Sequence, residues 1–546
     1  MFDDKSWYKE AVFYELYVRA YKDGNNDGQG DLRGVIQKLD YLQELGIDCI
    51  WLLPIFPSPL KDDGYDINDY YGILPDYGSL EDFRDLVSGV HAREMRIILD
   101  LVINHTSIQH PWFQKARLDR NSPYRNYYVW SDSNTKYAKA RIIFIDSEKS
   151  NWTWDEVAKQ YYWHRFYSSQ PDLNYDNPEV RAEILKIMQY WLDIGVDGFR
   201  VDAVPYLFER EDTNCENLPE THAFLKEMRR FIEKNYPGRI LLCEANQLPR
   251  DIRGYFGDGD EFQMAFHFPL MPRLFMALKQ GSFQPIEEVL EKTLPIPEGC
   301  QWCIFLRNHD ELTLEMVSVE EREWMWHHYA PESRMRLNLG IRRRLAPLLD
   351  NNQQKIELAY SLLFTLPGSP VLYYGDEIGL GDNIWLDDRD GLRTPMQWEP
   401  VAGAGFSEIQ PGKFFNPILD NLDYRPERLC VSIQIKDENS LLNRVRRMIK
   451  VRKKHPELGS GDFRWVSSDN PSVAAYWRTF GDHKMLVVQN LSALATAAHL
   501  SIGETIPIVA EDLIWGKSIF FQNDQIVDLD LTPFQYFWFE IPFHLN

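Results

Sequence analysis

Cysteine is scarce in this 546-residue chain: six residues, at positions 49, 215, 243, 300, 303 and 430, are too few and too scattered for a disulfide framework. Cys300 and Cys303 form one CxxC inside an apolar run, without the second ligand pair a zinc site needs, so buried thiols are the expectation. Long apolar stretches are missing too, and no window reaches the ~18 unbroken apolar residues of a membrane span. Positive charge is in deficit. The 59 Lys and Arg stand against 82 Asp and Glu, a net charge of −23, which repels polyanions and leaves no basic footprint for nucleic acid. The opening MFDDKSWYKE has no basic segment followed by an apolar one, so no secretory leader is expected and a cytoplasmic location is. No repeat or low-complexity linker is visible.

What is present is globular: 44% hydrophobic and 26% charged residues. Aromatic residues are abundant, with 17 Trp, 28 Tyr and 30 Phe. Flat apolar rings suit sugar faces, and they equally suit a heavily aromatic core.

Short apolar or β-branched runs that end in polar residues alternate with helical patterns, which reads as parallel strands joined by crossover helices. Eight such runs occur: 11–18, 49–54, 96–102, 198–203, 239–245, 264–268, 302–308 and 369–375. Between them GVIQKLDYLQELG, VRAEILKIMQYWLDIG and KIELAYSLLFTL space apolar residues three and four apart. Eight units predict an α/β fold, a (β/α)8 TIM barrel. The gap between the third and fourth runs, about 95 residues, is far longer than the ~10–15 of a crossover helix and predicts an inserted subdomain B at 106–170. The charged and aromatic stretch 319–350 is expected to be a helical, lid-like excursion over the barrel mouth. Beyond residue 456 short alternating runs (SVAAYW, KMLVVQN, QYFWFEI) predict a C-terminal antiparallel β-sandwich over 456–546, leaving 1–105 and 171–455 for the barrel.

Catalytic groups of such barrels sit at the C-terminal ends of strands. The third run leads to Asp100, Asn104 and His105; the fourth carries Arg200 and Asp202; the fifth ends at Glu244; the seventh ends in Asn308, His309 and Asp310. Each acid alone is more often a structural acceptor or a surface charge, but three carboxylates converging on one cavity are the equipment of a retaining glycosidase. Such close like charges must split their pKa values, leaving one group protonated as acid and another ionised to attack. Arg200, two residues before Asp202 on one strand, faces the same side and can hold that carboxylate anionic, a role compatible with a plain barrel-interior ion pair.

DLVINH, GFRVDA, CEAN and RNHD, in this order at these strand ends, resemble the four motif regions of the α-amylase family of glycoside hydrolases. The resemblance implies Asp202 as nucleophile, Glu244 as general acid/base and Asp310 as the acid gripping sugar hydroxyls, with His105 and His309 against the same sugar. GYDINDY and RDGLRTPMQW resemble the segments that close the pocket in exo-acting members, implying an Asp62 and Arg393 pair with Tyr65 as stacking ring. ARIIFIDSEKSNWTWD, YYWHRFYSSQPDLNYDNPEV, FGDGDEFQMAFHFPLMPRLFMAL and NHDELTLEMV resemble the members of that family that isomerise maltose to trehalose, over nearly the whole chain. By that likeness Arg141, Asn246 and Glu311 form an acceptor-side gate, Arg141 and Glu311 pairing across the mouth, although a surface ion pair would look the same. The implied activity is intramolecular glucosyl transfer with some hydrolysis; an α-glucosidase or sucrose isomerase is the alternative. A catalytically silent scaffold is disfavoured by the intact carboxylates. Disaccharide is the expected partner, with homo-oligomerisation open and no organic cofactor.

DGNNDGQGD, from Asp23, places oxygen ligands at alternate positions around glycines, as Ca2+ prefers; Gly34 at the twelfth position excludes an EF-hand, and an Asx-rich turn is the alternative. The family resemblance implies calcium on Asp23, Asn25, Asp27 and Asp31. It also implies a second calcium joining the inserted subdomain to the barrel through Asn104, Asp172, Glu209 and the carbonyls of Tyr206 and Leu207.

Overall fold

The computed structural model describes residues 4–503, 509–520 and 526–541. Eight parallel strands close into a barrel: β1 (Phe13–Leu16), β2 (Cys49–Leu52), β3 (Arg96–Val102), β4 (Gly198–Asp202), β5 (Ile240–Cys243), β6 (Met264–Phe266), β7 (Gln301–Phe305) and β8 (Ser369–Tyr373). Each pairs with its neighbours in sequence and β8 pairs with β1, so no edge is left open. Seven fall within the runs expected from the sequence and β7 starts one residue before its run, because strands buried on both faces must be apolar almost throughout. The crossover helices carry their own signals. Leu80–His91 starts with a Ser79/Asp82 capping box, and Pro178–Ile194 runs from an Asn177 cap to Gly195 at φ 117°, a left-handed position suited to glycine.

Between β3 and β4 the inserted chain forms helix Pro111–Leu118 and a three-stranded antiparallel sheet, Trp130–Ser131, Gln160–Trp163 and Trp152–Asp155. The stretch 319–350 is less helical than expected. After helix Val319–Tyr329 it forms two strands, Arg336–Leu337 and Gly340–Ile341, the second pairing with Leu312–Thr313 beyond β7. The chain after 456 builds a six-stranded and a three-stranded antiparallel sheet around a separate core that includes Trp477, Leu486, Leu500 and Phe539. Strand Ile526–Leu531 alternates exposed and buried residues, as a strand with one wet face does. The C-terminal end and two internal segments of the expected 456–546 unit, 542–546, 504–508 and 521–525, lie outside the described residues. The buried Arg478 joins sandwich to barrel by donating to the Thr365 carbonyl, and next to it, within the barrel unit, buried Arg452 donates to the carbonyls of Phe364 and Gly368.

All six cysteines are buried and free, and burial pushes the Cys303 thiol well up. Among the described residues no helix is long and apolar enough to cross a membrane.

Candidate active site

At the C-terminal ends of the strands lies a pocket of about 130 Å³, walled by Asp62, Tyr65, His105, Asp202, Glu244, Asn246, Asp310 and Glu311 among the residues singled out in the sequence. Its floor is organised by Arg200. On β4, side chains two apart face the same way, so Arg200 and Asp202 both point into the barrel. Arg200 Nη1 lies 2.7 Å from Asp100 and 2.6 Å from Asp202, while Nη2 lies 2.7 Å from Glu244. One guanidinium, 1% exposed, thus holds carboxylates from three adjacent strands. Directly after Asp202 the chain turns at Ala203, a non-glycine residue with φ 50°, and the Ala203 N–H donates to Glu244 Oε2 at 3.1 Å.

The expected division of pKa values is present. Burial pushes Glu244 up to about 7 against the pull of Arg200, with Asp202 and Asp310 adding to the rise. Burial also raises Asp202, to about 6, where Arg200 opposes and Asp100 assists. Asp310 goes the other way. Despite burial, His309, Arg389 and Arg393 hold it well below the ordinary carboxylate range. Its oxygens lie 3.1 Å from His309 Nε2, 2.9 Å from Arg389 Nε and 3.2 Å from Arg393 Nη2. Near neutral pH the pocket therefore offers an acid able to donate a proton, an ionised neighbour and a third, permanently anionic group.

Tyr65 stacks on His309, with ring centroids 5.4 Å apart and planes 8° from parallel, and its hydroxyl donates to Asp100. Burial pushes His105 down to about 3, so it is neutral; its Nδ1 faces the Asn104 amide and its Nε2 has no partner among the described residues, leaving a donor at the pocket wall.

Two expected pairings are corrected. Arg393 meets Asp63 and Asp310 rather than Asp62; Asp62 instead faces Arg389 at 3.8 Å and accepts from Gln170 at 2.7 Å. Asp63 has φ 46°, a left-handed turn that sends the two adjacent aspartates different ways. Likewise Arg141 does not reach Glu311. It pairs with Glu216 at 2.8 Å and Glu315 at 3.1 Å, while Glu311 pairs with Arg389 at 2.9 Å. Asn246 joins the first group, donating to Thr313 Oγ1 and Glu315.

Sequence reasoning missed Arg389, Glu315, Phe144 and Phe166 in the pocket wall and Glu15 behind it. Arg389 was visible as the first residue of RDGLRTPMQW, and Glu15 as the one charge in an apolar strand run. The phenylalanines carried no distinguishing signal.

For the inferred cations, Asn104 Oδ1, Asp172 Oδ2 and Glu209 Oε1 are buried acceptors without a hydrogen-bond partner among the described residues. Asp23 and Asp31 are buried as well, but their oxygens accept loop N–H groups: Asp23 from Asn25, Asn26 and Gly28, and Asp31 from Gly24, Asn25 and Gly34. That is the Asx-turn arrangement. Among the described residues no three His, Cys, Asp or Glu side chains are grouped to hold a metal.

A parallel barrel with paired acids at its C-terminal mouth defines a glycoside-hydrolase-like enzyme, and residues 15–330 and 338–461 match the model of the alpha amylase catalytic domain, so the chain belongs to the alpha-amylase family. Residues 463–538 match the maltogenic amylase C-terminal domain. The chain is 54% identical over 549 residues to the trehalose synthase/amylase TreS of Mycobacterium tuberculosis, covering 99% of this chain and 91% of that one. It is 52% identical over 552 residues to the trehalose synthase of a Pimelobacter species, covering 99% and 96%. Among solved structures, the trehalulose synthase MutB superposes with a TM-score of 0.77 at 28% identity, over 98% of this chain and 100% of that one.

Proposed function

We propose that this protein interconverts maltose and trehalose by intramolecular glucosyl transfer, with some hydrolysis to glucose. The observation that carries the reading is Arg200 gripping Asp202 and Glu244 at the floor of a pocket whose rim is tied by the Arg389–Glu311 and Arg141–Glu315 pairs. The trehalose synthase relatives support it over nearly the full chain.

In this reading Asp202, ionised, attacks the anomeric carbon of the terminal glucose while Glu244, protonated, gives its proton to the glycosidic oxygen. A β-glucosyl ester on Asp202 and a free glucose result. Asp310, fixed as an anion, accepts hydrogen bonds from sugar hydroxyls, and His105 Nε2–H donates one; Tyr65 supplies a ring face. The glucose turns within the closed rim and returns its anomeric hydroxyl to the same carbon, Glu244 taking the proton. Two inversions give the α,α-1,1 bond with net retention. Water at about 55 M competes as acceptor, so the rim pairs and Asn246 act by retaining glucose and excluding solvent.

Calcium at Asn104, Asp172 and Glu209, with the Tyr206 and Leu207 carbonyls, is part of the proposal; the unpartnered buried oxygens support it, since a hard cation would satisfy them. Bound there, the ion would pin the inserted segment to the barrel. A cation at Asp23, Asn25, Asp27 and Asp31 can use only lone pairs that the loop N–H groups leave free.

Incubation with maltose, followed by chromatographic resolution of the products, tests the function. Trehalose as major product with minor glucose is expected, and trehalose should return maltose. Glucose alone would overturn the isomerase reading in favour of an α-glucosidase, and, in a parallel incubation with sucrose, faster isomerisation of sucrose than of maltose would favour a sucrose isomerase.

A further inference from the structure

Glu15 sits on β1 with no exposure and does not line the pocket. Its Oε1 accepts both the backbone N–H of His309, at 3.0 Å, and the ring Nδ1–H, at 2.5 Å; its Oε2 has no partner among the described residues. On the other side of the ring, His309 Nε2 lies 2.8 Å from the Tyr65 hydroxyl and 3.1 Å from Asp310 Oδ2. The hydroxyl proton of Tyr65 is committed to Asp100 Oδ2 at 2.9 Å, so toward His309 that oxygen can only accept. Both ring nitrogens therefore face acceptors, and a neutral imidazole, which has one donor and one acceptor, would meet one of them lone pair to lone pair.

We propose that Glu15 is a positioning residue that keeps His309 doubly protonated and aimed, so that a Glu15–His309–Asp310 chain, buried at Glu15 and His309, holds Asp310 anionic behind the sugar. The inference rests on the glucosyl-transfer reading of the pocket. The groups nearest the ring nitrogens are acidic: Glu15 from β1, Asp310 beside it and Asp100 from β3 through Tyr65. The opposing charges are Arg393, whose Nε donates to the His309 carbonyl, Arg389 on Asp310 and Arg200 on Asp100; the Trp51 ring from β2 packs edge-on at 5.9 Å. Burial alone would depress the imidazole, yet Asp310 and Glu15 carry it up to about 9. The protonated ring then acts with Arg389 and Arg393 on Asp310.

The test uses 15N-histidine NMR of the whole protein, with the His309 signals identified by their loss in His309→Gln, together with pH profiles of kcat/KM. At pH 7.5 the native protein should show both His309 nitrogens protonated, and Glu15→Gln, nearly isosteric but uncharged, only one. In Glu15→Gln the alkaline limb of kcat/KM should move to lower pH by about one unit, because loss of the imidazolium now precedes loss of the Glu244 proton. Glu15→Asp, which restores the charge, should move the limb back. A neutral His309 in the native protein at pH 7.5, or a Glu15→Gln protein that folds with its imidazolium and its limb unchanged, would overturn the proposal. The NMR comparison of native protein with Glu15→Gln needs no turnover, so it decides the role of Glu15 even if maltose gives no trehalose.

Discussion

Arg141 lies with its Nη1 3.1 Å from Glu315 Oε2, so the chain inserted after β3 is tied to the loop after β7 across the barrel mouth. Glu315 also holds Asn246, and Glu311, four residues earlier, is turned to Arg389. The rim is therefore closed by two separate ion pairs.

Loss of either rim pair should release glucose while sparing bond cleavage. Arg141→Ala and Glu315→Ala open one tie and Glu311→Ala the other, while Arg141 keeps Glu216 and Arg389 keeps Asp310, so the arginines that remain are not left unpaired. The glucose-to-trehalose ratio from maltose should rise several-fold in all three, with the rate on an activated aryl glucoside nearly kept. If both activities fall together at an unchanged ratio, the pairs serve folding or chemistry and not retention.

Arg200→Met should remove activity and destabilise the fold by about 3–5 kcal/mol, since three buried carboxylates lose the cation they share. The stability loss has a pH sign. Unpaired buried acids have folded-state pKa values above their unfolded ones, so the folded variant binds more protons and is most stable at low pH, losing stability as pH rises through the folded values. Thermal melts at pH 5 and pH 8 should show the larger deficit at pH 8.

Glucosylation should follow a bell with its maximum between about 6 and 7. Below about 6 Asp202 gains a proton and cannot attack; above about 7 Glu244 has lost the one it must give. The profile of kcat/KM on an aryl glucoside with a good leaving group should lose its alkaline limb in Glu244→Gln, because that leaving group departs without protonation. A limb that persists would assign it elsewhere.

A 5-fluoroglycosyl fluoride should label Asp202, detected by peptide mass mapping. Label on Glu244 or Asp310 would exchange the roles. Asp202→Ala and Glu244→Gln should each remove nearly all turnover of maltose, and the double variant should lose little more, as two groups acting in one unit do not add.

Calcium should raise the melting temperature, and chelation lower it, more than either changes the rate at moderate temperature. A cation bound only to the folded state adds about 2.7 kcal/mol at a hundredfold excess over Kd. Asp172→Asn and Glu209→Gln should abolish the calcium-dependent part of the shift, while Asp27→Asn reports separately on the first loop. No shift, with no calcium by elemental analysis, would remove the ion from the account.

The strands, the barrel they close and the acids at their ends were legible in the sequence, because each depends on local patterning: apolar runs of strand length, helical spacing between them, and a polar residue where a run stops. Asp202, Glu244, Asp310 and Tyr65 were placed in one pocket on that basis together with the family resemblance. Which charge meets which was decided only by the tertiary structure. Asp62 and Asp63 are adjacent, as Arg389 and Arg393 are near, and nothing local separates them; the left-handed turn at Asp63 and the approach of the loop after β8 give Arg393 to Asp63 and Arg389 to Asp62. The same holds for Glu311 and Glu315, and for Glu15, whose partner lies 294 residues along the chain. Ion pairs fall off over a few ångströms, so their partners are chosen by the last ångströms of backbone placement, which strand periodicity does not specify.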